Sequence, residues 1–320
     1  MKKKTKNIGV ILVTVLLLLG VSLLGASWYL LDYALKPIDR GRQMEQAWVQ
    51  MDSLYPGLKV WHDSLDAAGL SRDTLIQAAD GATLHARYIR QGQPTRRTAV
   101  LVHGYTDCWV RMLQLGRMYH HDLGANLILP DLRNAGQTDG DHFQMGWKDR
   151  LDVKRWITLV PELFGDSATV VVHGVSMGGA TTMMLSGDAD VPDCVRAYVD
   201  DCGYTSVDDQ FTKELKEQYG LPRFPLIPAA SALCELRYGW NFAEASALEQ
   251  VKKATRPMLF IHGAEDGYVP TWMVYPLYEA HPGTKSLWVV PEAVHARSYK
   301  THPAEYTRRV RQFLEEQTTW

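Results

Sequence analysis

Apolar and polar positions along this chain fall into three regimes. The first is one unbroken block: "NIGVILVTVLLLLGVSLLGASWYLL" carries no charge between Lys6 and Asp32. From Ile8 to Leu31 it would run about 36 Å as a helix, enough to cross a hydrocarbon core of about 30 Å. The second regime, residues 32–75, is polar with scattered aromatics; it predicts a helix in "IDRGRQMEQAWVQMDSLY" and then irregular chain. In the third regime, "DGATLHARYIR" (80–90) follows an Asp-Gly turn and alternates as a half-buried strand does. Short aliphatic runs then recur at 98–104, 126–131, 168–174, 195–201, 257–263 and 286–292, nearly continuous in Val, Ile and Leu. Strands buried on both faces read this way. Between them "RMLQLGRMYHHDLG" and "KDRLDVKRWITLVPELF" space their apolar residues by three and four, predicting helices. Strand and helix in alternation imply a parallel sheet covered on both sides, with its ligand crevice at the C-terminal strand ends.

One connection breaks the rhythm. About fifty residues separate Cys202 from Arg256, too many for a structureless loop, so a helical lid over 203–250 is expected. Pro222, Pro225 and Pro228 are expected to separate its helices.

Charge alters the picture at one place. A net charge of −2 excludes the basic footprint of a nucleic-acid binder. The exception is "MKKKTK", where Lys2, Lys3, Lys4 and Lys6 precede the apolar block, whereas Arg40 and Arg42 follow it beyond Asp32 and Asp39. The positive-inside bias places that tail in the cytoplasm and residues 32–320 on the far side, with Trp28 and Tyr29 at the opposite interface. A signal peptide cut near Gly25-Ala26-Ser27 would give a secreted chain instead. The apolar block outruns the usual signal core of about 7–15 residues, which favours an uncleaved anchor. The expected organisation is therefore an anchor or signal (1–31), an approach segment spacing the pocket from the bilayer (32–75), and a catalytic domain (76–320). The four cysteines carry no CxxC or zinc-like spacing, and buried thiols are their expected state.

The candidate chemistry centres on "HGVSMGGATT" (173–182), where Gly174, Ser176 and Gly178 alternate as a strand gives way to a helix. Gly-x-Ser-x-Gly in that context is a nucleophile elbow, a sharp turn that exposes the serine oxygen above the sheet. A Cβ at the glycines would clash as the helix folds back.

Together with "VLVHGYTD", "PDLR", "FIHGAEDGYVP" and "VVPEAVHARSY", in this order, the elbow makes residues 80–316 resemble the α/β-hydrolase superfamily, especially its bacterial serine-aminopeptidase-like and esterase-like members. The resemblance implies an α/β-hydrolase fold with a helical lid after the sixth strand, an acid after the seventh strand and a histidine after the eighth. Asp266 and His295 stand there, with Asp200 and Asp201 as physical alternatives for the acid, Glu265 adjacent, and His281 and His302 as the other late histidines. Backbone N–H groups of Tyr105 and Met177 would form the oxyanion hole. His103, His173 and His262 are expected to be structural, held by neighbouring backbone. One departure is "DLRNAGQTDG", where many relatives read "DLRGHG"; Asn134 and Ala135 are expected at the pocket rim, where they bear on substrate preference.

The implied activity is cleavage of a carboxylic ester, small or lipid-like, through an acyl-enzyme on Ser176, without metal or organic cofactor. Amide, acylaminoacyl or thioester substrates are alternatives within the same chemistry. A ligand-binding scaffold without catalysis is the alternative outside it.

Overall fold

A computed structural model describes residues 2–37 and 39–320, with side chains from residue 9 onward. Met1, Ile38 and the side chains of the four N-terminal lysines, on which the topology expectation rests, lie outside the described residues.

Eight strands form one sheet: β1 (Ser71–Gln77), β2 (Thr83–Ile89), β3 (Arg97–Val102), β4 (Asn126–Pro130), β5 (Thr169–Val175), β6 (Val195–Asp201), β7 (Met258–Gly263) and β8 (Lys285–Val290). Their order across the sheet is β1-β2-β4-β3-β5-β6-β7-β8, and only β2 runs against its neighbours. All six aliphatic runs are strands. The alternating segment is β2, and its partner β1 crosses the expected end of the approach segment at residue 75. "SRDTLIQ" carries few apolar residues because β1 is an edge strand, largely exposed.

Successive strand residues enter opposite cores. Val100 and Val102 join one cluster with Trp156, Met183 and Leu277; Ala99 and Leu101 join the other with Leu113, Val310 and Leu314. The helices divide accordingly. The approach segment supplies α2 (Arg40–Leu54), started by the Asp39 carboxylate accepting from Arg42 N, and α3 (Leu58–Ala67). These pack with a 3₁₀ turn (Trp109–Met112), α4 (Leu113–Arg117) and a π turn (Met118–Asp122) on one face. The other face carries α5 (Asp149–Thr158), α6 (Val160–Phe164), α7 (Met177–Ser186), α8 (Val207–Tyr219), α9 (Leu226–Tyr238), α10 (Ala247–Val251) and α11 (Val274–Ala280). Short α12 (Ser298–Thr301) leads to α13 (Pro303–Gln317), which closes the first face.

The long connection between β6 and β7 is helical, holding α8, α9 and α10. Ser206 caps α8 at Asp209 N, and Gly220 in the left-handed region ends it. Pro225 precedes α9, but Pro228 does not separate helices. It sits in the first turn of α9, where its missing N–H has no intrahelical partner to lose.

The N-terminal block is helix α1 (Lys2–Leu35), apolar and long enough to cross a membrane over Gly9–Leu35 by length and composition. Its last turns do not stand off from the domain as the expected spacer would. Ser27, Leu31 and Leu35 are buried at helical spacing. Tyr105 Oη donates to Ala34 O at 2.7 Å, and Phe143 N donates to Leu35 O at 3.0 Å. Arg237 pairs with Asp32 at 2.6 Å and lies 4.1 Å from the Trp28 ring centroid.

Candidate active site

β5 ends and α7 begins at Ser176, whose backbone takes φ 58° and ψ −120°. A non-glycine residue there is strained, as a nucleophile elbow requires. Ser176 N donates to Asp201 O at 2.8 Å, tying the turn to the end of β6. The glycines are needed for two different reasons. A Cβ on Gly174 would overlap Gly178 O, where the helix folds back on its strand. A Cβ on Gly178 would overlap Val102 O, on neighbouring β3. The clash expected of the second glycine is therefore with the sheet, not with its own strand.

β7 and β8 bring the partners. Asp266 follows β7 on a tight turn, its Oδ1 accepting from Tyr268 N and Val269 N at 3.0 and 2.9 Å. Its Oδ2 lies 2.7 Å from His295 Nδ1, on the loop after β8, and His295 Nε2 lies 2.8 Å from Ser176 Oγ. Serine, imidazole and carboxylate thus form one hydrogen-bonded chain. Burial alone would raise the Asp266 carboxyl, but the imidazoles of His262 and His295 and the Val269 N–H outweigh it and hold it at about 2.

The alternatives stand elsewhere. Asp201 accepts from Tyr306 Oη at 2.9 Å and Ser298 Oγ at 3.0 Å, and Asp200 Oδ1 accepts from Gly203 N at 3.0 Å. Burial pushes these two carboxyls up to about 6 and about 7. Glu265 is exposed. His281 bonds Arg256 O and Gly283 N, and His302 bonds Pro291 O, both away from the serine.

The strand-end histidines are structural in three different ways. Leu132 N donates to His103 Nε2 at 2.9 Å, so Nδ1 carries the proton and donates to Gly104 O at 2.8 Å. That bond fixes the Gly104–Tyr105 peptide. Because the peptide is planar and trans, the Tyr105 N–H faces away from the anchored carbonyl. The same turn abuts Ser176, since a Cβ on Gly104 would sit 3.4 Å from Ser176 Cβ. Tyr105 and Met177 both border the cleft over Ser176. His173 departs from the expected backbone partners: the hydroxyls of Tyr119 and Tyr306 hold its two nitrogens at 3.0 and 2.9 Å. His262 gives Nε2 to Val269 O at 2.9 Å and stands 3.5 Å from Asp266 Oδ2, which bears directly on the acid.

Sequence reasoning missed other neighbours. Tyr268 packs its ring 4.9 Å from that of His295. Cys202 Sγ lies within 4.8 Å of Asp266 and His295, and burial holds its thiol far above the ordinary range, so it stays neutral. The loop with Asn134 and Ala135 is not at the pocket rim. Both residues are buried and neither borders the cleft; Gly136 N bonds Gln43 Oε1 of α2, and Asp131 holds His85, Trp109 N and Gln137 N. α2 covers that loop, and nothing in its own ten residues foretells this.

The elbow, the sheet and the converging strand-end loops are those of an α/β-hydrolase fold. Residues 99–310 match the alpha/beta hydrolase family model, and the chain belongs to that family. Among relatives, it is 31% identical to the uncharacterised protein YqkD of Bacillus subtilis (strain 168), over 69% of this chain and 72% of that one. Among solved structures, it resembles an esterase of Pyrococcus furiosus at TM-score 0.62 and 23% identity, covering 77% of this chain and 91% of the esterase. It also resembles an acylaminoacyl peptidase of Pyrococcus horikoshii, at TM-score 0.57 and 18% identity over 77% of this chain and 41% of the peptidase.

Proposed function

We propose that this chain is a serine hydrolase of carboxylic esters, held at a membrane by α1 with its catalytic domain outside the cytoplasm. The observation that carries the chemistry is the unbroken bond chain Ser176 Oγ–His295 Nε2, His295 Nδ1–Asp266 Oδ2, at 2.8 and 2.7 Å beneath an apolar cleft. In this reading Ser176 Oγ attacks the ester carbonyl as His295 takes its proton. Asp266 keeps the imidazole in the tautomer that offers Nε2 as acceptor and stabilises the imidazolium. The Tyr105 and Met177 N–H groups receive the oxyanion. As the C–O bond breaks, His295 returns the proton to the departing alcohol. Water activated by the same imidazole then frees the acid and restores Ser176.

The cleft favours esters over peptides. A peptidase that reads a free amino terminus needs carboxylates facing it, and Glu214 is the only acid bordering the cleft among the described residues. Its oxygens already accept from Gln210, Lys213 and Gln218. The helices of residues 203–250 would act as the lid over this cleft, within the organisation of anchor (1–31), approach segment (32–75) and hydrolase domain (76–320). The four lysines before the apolar stretch of α1 support the orientation, and a cut near Ser27 would release the domain as a secreted enzyme.

The test is fluorophosphonate labelling of the wild type and Ser176→Ala, followed by a panel of esters, thioesters and aminoacyl amides. Labelling confined to the wild type, with ester turnover leading the panel, is the expected result. Labelling of both proteins would refute the assigned nucleophile. Protease treatment of intact spheroplasts checks orientation; a membrane-bound domain shielded from external protease would refute it.

A further inference from the structure

The cleft over Ser176 has one wall that an isolated hydrolase domain would lack. Leu30, Leu31, Tyr33 and Ala34 of α1 border it, facing Phe211 and Leu215 of α8 and Ile227 and Ala230 of α9. About 120 Å³ of the open cleft is accessible to the centre of a water-sized sphere. The lining between the serine and the mouth is chiefly hydrocarbon, while Tyr33, Gln218 and Tyr219 are exposed at its outer edge.

α1 is longer than a bilayer requires. Residues 9–26 are exposed apart from half-buried Leu23, a stretch of about 27 Å that nearly matches a hydrocarbon core of about 30 Å. From Ser27 onward the helix turns one face into the protein. The pocket therefore starts where the membrane-crossing stretch stops. Around this junction, Trp28, Tyr29 and Tyr33 are exposed on α1, as is Tyr219 at the end of α8. Tyr219 neighbours both Tyr29 and Tyr33. Aromatic residues of this kind settle at the boundary of hydrocarbon and headgroups.

We propose that the last two turns of α1 are the acyl-chain wall of the site, and that the substrate is a membrane-borne ester of one linear acyl chain. This rests on the serine hydrolase and membrane-anchor reading given above. The chain lies along α1 with its carbonyl at Ser176; the ester C–O bond breaks, the acyl group passes to Ser176 Oγ, and the alcohol leaves with the proton from His295. Hydrolysis then returns a fatty acid to the bilayer that supplied the ester. One apolar cleft, walled at its outer end by α1, α8 and α9, serves one chain. Helix α1 is thus both anchor and specificity element.

The experiment uses the full-length protein in vesicles of ether-linked phosphatidylcholine, a lipid with no acyl ester to compete. The probes are p-nitrophenyl butyrate and p-nitrophenyl dodecanoate, compared by kcat/KM in the wild type and in Ala34→Trp, whose indole fills the channel beside α1. The wild type is expected to favour dodecanoate by more than about tenfold, since each buried methylene adds binding. Ala34→Trp should lose at least about tenfold more on dodecanoate than on butyrate. Equal losses on both esters, no loss, or a wild-type preference for butyrate would overturn the proposal; the last would mark a water-borne small ester. Leu30→Phe carries the same expectation should Ala34→Trp fail to fold. Fluorophosphonate labelling separates the two levels. A labelled enzyme without chain-length discrimination refutes the α1 wall alone, whereas an unlabelled, inactive wild type refutes the hydrolase reading and this inference with it.

Discussion

The two ends of the cleft are built by different means. At the floor, Ser176, His295 and Asp266 sit on turns that begin within a few residues of buried strands, and the Gly174 and Gly178 contacts leave no room for any side chain. At the outer end, the walls come from α1 and, about 180 to 200 residues later, from α8 and α9, held by Leu31 and Leu35 in the core and by the Arg237–Asp32 pair. The floor is dictated by backbone sterics and tolerates almost nothing. The walls are side-chain packing and tolerate exchange; on the proposed reading they would set which acyl group fits without disturbing the chemistry.

The sharpest break of that contrast is Ser176→Ala, which should lower ester turnover by about 10⁶-fold. Its melting temperature should stay within a few degrees of wild type, because only one oxygen leaves the turn. Asp266→Asn should cost about 10⁴-fold in kcat, because the amide supports the wrong imidazole tautomer. His295→Ala should fall in the same range, whereas His281→Ala, whose imidazole is 1% exposed and bonded to backbone, should act on stability and not on kcat. Steady-state kinetics beside thermal melting check all three.

Gly178→Ala probes the floor by sterics. Its methyl would overlap Val102 O, so the elbow must separate from β3, at an expected cost above about 4 kcal/mol in chemical denaturation. A variant of near-native stability would mean that the floor is as pliable as the walls.

A smaller effect comes from the carboxyls behind the floor. Burial raises Asp201 to about 6 and Asp200 to about 7. A carboxyl raised on folding adds stability that is fully present below its unfolded value, near pH 4, and is lost as pH rises through 6 to 7. Asp266, held at about 2, works in the opposite sense: its contribution is present above about pH 4 and lost as pH falls toward 2. Asp201→Asn should therefore gain on the wild type in denaturation midpoint between pH 5 and 8. A gap constant across that interval would refute the raised carboxyl.

The smallest expected change is at the walls. Arg237→Ala removes a half-exposed ion pair with Asp32 and the contact with the Trp28 ring, worth about 1 kcal/mol together. It should lower the melting temperature slightly and leave fluorophosphonate labelling intact. Loss of labelling would show that the wall and the floor are coupled.

Much of this protein was determined by its sequence alone. The aliphatic runs are strands, buried on both faces except for half-buried β8 at the sheet edge, and Gly174-x-Ser176-x-Gly178 turns sharply where strand meets helix. Those constraints are local, acting over a handful of residues, and they also place Asp266 and His295 on strand-end loops. β1 escaped because an exposed edge strand needs no apolar alternation. The loop with Asn134 and Ala135 reads as a rim in sequence because its burial depends on α2, about ninety residues away. The same limit hid the partners of His173, two tyrosines from separate helices, and the approach of His262 to Asp266. It hid the end of α1 most completely. Membrane lipid and a protein pocket select the same apolar residues, so Leu30, Leu31 and Ala34 read as ordinary members of the apolar block. Only the tertiary structure decided that the block ends inside the pocket, because that outcome depends on what α8 and α9 offer to the other side of the helix.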